Sequence, residues 1–136
     1  MFMEEKNEKQ ALDIFATSEE YLPRLAKGLA AIAELIQSGQ EAEASGYFVQ
    51  AVEGLRWLAL VLQKLNSQLL YQGSQRSLNE EIEKLGEILS SLLNAWENSD
   101  YVLISDLLEY ELAPFVQLIK DEIIGTKQNY FQDETE

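Results

Sequence analysis

Apolar residues recur at helical spacing in four segments of this chain, and the clearest segment leaves little choice of fold. Ala44, Phe48, Ala51, Leu55, Leu58, Leu62, Leu65 and Leu69 alternate steps of four and three over almost four heptads. That period lays the side chains along one stripe of an α-helix, and a helix with one apolar stripe must bury it against other helices. The pattern predicts an all-α fold: an antiparallel bundle of four main helices, with a short fifth helix or partly ordered arm at the N-terminus.

Length and composition agree with one core. A chain of 136 residues with 46% hydrophobic content fits a single domain over 1–136 that buries about two thirds of the surface its unfolded form would expose. Ten basic residues stand against twenty-four acidic ones, a formal charge of -14. A surface this negative repels phosphate backbones and anionic lipid, so neither nucleic acid nor a membrane is the expected partner. It also keeps a bundle soluble, and charge alone names no ligand.

The chain contains neither cysteine nor histidine. Disulfides, thiolate metal sites and thiol nucleophiles are therefore excluded, as are the ordinary Ser-His-Asp and His-rich zinc or di-iron arrangements. No cofactor or catalytic residue is implied. The opening Met1–Gln10, MFMEEKNEKQ, has neither the basic start nor the apolar stretch of a secretion signal. The most apolar stretch, Ala51 to Leu62, is interrupted by Glu53 and Arg56 and is too short to span a bilayer. A cytoplasmic location is the simplest expectation.

Leu12, Ile14 and Phe15 lie behind the charged leader and suit the short first helix or arm, with 1–17 frayed. Leu22, Leu25, Leu29, Ile32 and Ile36 define the next helix, ended by Ser38 and Gly39, with its start set by Pro23 or by a Thr17–Glu20 capping box. The long third helix runs from about Gln40 to Tyr71. Gly46 and Gly54, close to one of its faces, are expected to admit another backbone, and Trp57 reads as a second-layer core residue. Gln72 to Arg76 forms a loop, and Ser77 with Glu80 makes a capping box. The stripe Leu78, Ile82, Leu85, Leu89, Leu92, Trp96 follows, and Ser99 or Asp100 caps the last helix.

That last helix, about Tyr101 to Ile124, has wider apolar coverage than the others. Leu103, Leu107 and Tyr110 lie on one side, and Ile104, Leu108, Leu112, Phe115, Ile119 and Ile123 on another. Coverage this broad implies contacts on two sides, so the helix is central or its outer side meets another molecule. Pro114 cannot donate to the carbonyl of Tyr110, which predicts a kink there. Beyond Gly125, residues 126–136 are polar and expected to fray.

Two resemblances bear on function. Glu80 and Glu83, then Asp106 and Glu109, are pairs three apart on successive helices. This is similar to the E-x-x-E and E-x-x-D pairs of all-helical nucleoside triphosphate pyrophosphatases, which implies magnesium-dependent hydrolysis, although the second pair here reads D-x-x-E and no basic cluster accompanies it. The other resemblance covers about residues 25–120. A heptad helix ending in S-G-Q-E at Ser38 to Glu41, a long helix with Ala51 and Leu55, a further helix, a polar break at Asn98 to Asp100 and a final long helix resemble flagellin export chaperones in order. That family implies a cytoplasmic bundle holding the helical segments of a client in apolar grooves. A counterpart to its N-terminal tyrosine segment is missing.

The expected function is thus a non-catalytic binding module, a small cytoplasmic chaperone or adaptor that holds an amphipathic helix. Its partner is a protein or a second copy of the chain. The L-E-Y-E-L-A-P stretch is the most individual local sequence, so the residues expected to contact that partner are Leu103, Leu107 and Tyr110, with Glu109 and Glu111 beside them.

Overall fold

A single helix, α1 (Phe2–Gln37), runs for 36 residues and carries Pro23 in its interior. The molecule is seen in a computed structural model that describes residues 2–130, with side chains described for residues 9–127. The separate N-terminal helix, and the helix start expected near Pro23 or Thr17, are corrected by this element. Ala11, Phe15, Ser18, Leu22, Leu25 and Leu29 form one unbroken buried stripe across the proline. Burying that stripe outweighs the roughly 3 kcal/mol that an interior proline costs an isolated helix.

The helix α2 (Glu41–Tyr71) returns antiparallel to α1, and α3 (Asn79–Glu97) follows. The final rod comprises α4 (Tyr101–Asp106), a π-helical segment (Leu107–Leu112) and α5 (Ala113–Tyr130). Helix α1 lies at the centre, packed most extensively on α5 and α2 and also on α4 and the π segment, while α3 packs on α2, α4 and the π segment. No strand occurs among the described residues.

Three helix ends share one closing pattern. The N–H of Gln40 reaches the Leu35 carbonyl at 2.8 Å, that of Ser74 reaches Leu69 at 3.0 Å, and that of Asp100 reaches Ala95 at 2.9 Å. Each is the six-to-one bond of a Schellman motif, which requires a left-handed residue just before the donor. Gly39 (φ 78°) and Gly73 (φ 74°) supply it without strain; at the third turn Ser99 (φ 53°) must adopt the same conformation.

The starts of α3 and α4 differ in how they are capped. Of the two caps that the sequence offers, Ser99 and Asp100, it is Asp100 that accepts from the Leu103 N–H, at 3.2 Å. The Ser77–Glu80 capping box is replaced by Asn66 of α2, whose Oδ1 accepts from the Leu78 N–H at 2.7 Å and whose Nδ2 donates to Asn79 Oδ1 at 2.8 Å. Ser77 retains one role, accepting from the Asn79 N–H at 3.1 Å.

Where the sequence predicts a kink at Pro114, the structure has the π segment immediately before the proline. Ala113 N–H bonds the Leu108 carbonyl, five residues back, and this wide turn relieves the collision between the proline ring and the carbonyl four residues earlier. Helix α5 then continues past Gly125 to Tyr130, so fraying from residue 126 is corrected as far as residue 130; residues 131–136 lie outside the described part. Thr126 is buried and donates to the Ile123 carbonyl at 2.7 Å. The guanidinium of Arg76, reaching from the α2–α3 loop to Glu122 Oε2 at 2.9 Å, would lie in tight contact, 3.0 Å away, with a Cβ placed on Gly125.

Candidate functional site

A groove of about 920 Å³ lies between α1 and α2. Counting both ways from Gly39 shows how two antiparallel helices build it. Leu35 comes level with Glu43, Ile32 with Tyr47, Gly28 with Gln50 and Leu25 with Gly54. Its floor is the buried Leu25, Ile32 and Ala51. Its length from Tyr21 to Ser38 is about 25 Å at 1.5 Å per residue, or between four and five turns of a helix laid along it.

The groove is open because the residues above its floor are small. Gly28 and Ala31 are exposed, and a Cβ added at Gly28 would meet nothing within 4 Å. Tyr47, half exposed, forms part of the α2 wall. At the far end Tyr21 meets Trp57 edge-on, with ring centroids 5.6 Å apart. The Tyr21 hydroxyl occupies the space where a side chain at Gly54 would be, so Gly54 admits a neighbouring side chain rather than a backbone. Gly46 admits neither, since nothing lies within 4 Å of its Cβ position. Trp57 is partly buried against the core, as expected of a second-layer residue.

The residues that the sequence marks for partner contact do not form one surface. Leu103 is 41% exposed and Tyr110 69%, but Leu107 is only 6% exposed and belongs to the core. The π segment accounts for the division, because it changes the rotation per residue and takes Leu107 off the line joining the other two. Glu111 is exposed, whereas Glu109 is partly buried and its Oε2 accepts from Gln37 Nε2 at 2.7 Å. Gln37 also lines the groove, so the last helix reaches the groove's end through that bond.

The four carboxylates considered for magnesium are not brought together. Counting back from Ser99, Asp106 lies level with about residue 92 of α3, so Glu83 and Glu80 stand roughly 13 and 18 Å further along the axis. Among the described residues no group of three or more aspartate, glutamate, histidine or cysteine side chains is placed to hold a metal ion. Among the described residues no helix is long and apolar enough to cross a membrane.

Fold and groove together define a small all-α bundle with an open interhelical cleft. The chain belongs to the family described as a domain of unknown function (DUF8042), whose model matches residues 13–122. That span contains the whole groove and the π segment. No curated protein and no solved structure matches the chain.

Proposed function

We propose that this protein is a non-catalytic binding module, a small cytoplasmic chaperone or adaptor, and that it holds an amphipathic helix of another protein in the α1–α2 groove. The observation that carries this reading is the match between the groove and a helix. It is about 25 Å long, apolar at its floor and free of side chains above Gly28. An exposed glycine inside a long helix costs about 1 kcal/mol relative to alanine. Close approach of another element is a reason to keep it there. A client-holding role of the kind that the flagellin export chaperone resemblance implies is one form of this function.

The test exploits the same glycine. Gly28→Phe fills the groove from above without touching the fold, so its stability should equal or exceed that of the parent chain. Both proteins would be used as bait in soluble lysate of the source organism. A polypeptide retained by the parent and lost on Gly28→Phe supports the reading; identical retention by the two removes it. Light scattering of the same samples identifies the case in which the retained chain is a second copy of the protein itself.

A further inference from the structure

We propose that the occupant of the groove is a cationic amphipathic helix, with lysine or arginine at the end that lies over Glu34 and Glu43. This rests on the binding-module reading and goes further by assigning the partner's charge and register. Glu34 on α1 and Glu43 on α2 both line the groove and come level across it near the Gly39 turn. Among the described residues neither forms an ion pair. The last turn of α1 carries no basic residue, and the first turn of α2 adds Glu41. This end of the groove is negative, and among the described residues no basic side chain pairs with it.

The opposite end is different. Among the described residues Arg24 is the one basic residue lining the groove, and its guanidinium lies 3.2 Å from Glu20. It therefore offers little attraction to an anionic partner, and the net charge of -14 repels such a partner at longer range. Between the ends, the small residues Gly28 and Ala31 leave room for large aliphatic side chains on the occupant to reach Leu25 and Ile32. The complementary ligand has an aliphatic ridge in its middle and positive charge at one end. Electrostatic complementarity of this kind selects partners and fixes their register.

Two synthetic peptides test this on the full-length protein. Both are about 16 residues long, matching the groove at 1.5 Å per residue, with blocked termini and the same leucine stripe; one ends in a lysine pair and the other in a glutamate pair. Binding is read by calorimetry and by tryptophan fluorescence, to which Trp57, beside Tyr21, contributes together with Trp96. The lysine peptide should bind at least about tenfold more tightly, as two partly screened charge pairs allow. Combined Glu34→Lys and Glu43→Lys should invert that preference, and Gly28→Phe should abolish both complexes. Equal binding of the two peptides, unaffected by the charge reversal but lost on Gly28→Phe, overturns the charge assignment and leaves the groove reading in place. Absence of binding by either peptide, or binding indifferent to Gly28→Phe, overturns both.

Discussion

Gln37 and Glu109, 72 residues apart in sequence, are joined by a 2.7 Å hydrogen bond from the side-chain amide to the carboxylate. The same amide nitrogen donates to Ser105 Oγ at 2.8 Å, and Ser105 in turn makes a long 3.5 Å bond to the Ala33 carbonyl. The C-terminal end of α1 is thereby tied to α4 and to the π segment. A double-mutant cycle on Gln37→Ala and Glu109→Ala, read by urea denaturation, should give a coupling of about 0.5 kcal/mol, because this bond is exposed to water. Ser105→Ala, which empties a buried position, should cost about 1 kcal/mol. Zero coupling would free Glu109 for the partner contact expected from sequence.

Leu107 is separated energetically from the residues it was grouped with. Leu107→Ala should lower stability by about 2–4 kcal/mol, the usual range for a buried leucine. Leu103→Ala and Tyr110→Ala, at exposed positions, should each change it by less than about 1 kcal/mol. Chemical denaturation of the three variants distinguishes the arrangements, since a common surface would make all three behave alike.

Ser99 occupies the left-handed position that glycine fills at the two other helix ends. Ser99→Gly should therefore stabilise the protein by about 1 kcal/mol, the strain relieved exceeding the extra chain entropy lost on folding. A raised melting temperature with unchanged circular dichroism is the expected result. A lowered one would mean that the serine makes the turn in some other conformation.

Ser18 is fully buried, and among the described residues its hydroxyl has no hydrogen-bond partner. Replacing it with alanine removes an unsatisfied polar group from the core and should raise stability by about 1 kcal/mol. Loss of stability on Ser18→Ala would show that the hydroxyl contributes a contact after all.

Much of this architecture was legible because period and turn chemistry act locally. The α2 stripe, the left-handed Gly39 and the Asp100 cap follow from residues within a few positions of one another. What escaped depended on distant partners. Asn66 caps α3 from another helix, and nothing near Ser77 signals it. Core packing carries α1 through Pro23, against the local preference. The α1–α2 groove could not be read from the wide apolar face of the last helix, because it arises from missing side chains at Gly28 and Ala31. One sign of the π segment was nonetheless present. Ile104, Leu108, Leu112 and Val116 are all buried and are spaced by four three times running, a slower winding than the 3.6 residues per turn of an α-helix. As the phase shifts midway Leu107 joins this buried side, while Leu103 and Tyr110 stay outside it.

A shifted phase also means that the rod contains a spare residue. Removing one exposed residue there, Tyr110 or Glu111, would restore the ordinary α-helical phase with Ile104 and Val116 still on the same side, at the cost of bringing Pro114 back against the carbonyl four residues earlier, a cost that α1 already bears at Pro23. The same deletion at Gln117 would swing Ile119 and Ile123 by about 100° away from α1. Tolerance to a change in length along this rod is set by angular bookkeeping, and Leu107–Leu112 is the place where the rod can be shortened by one residue and remain seated.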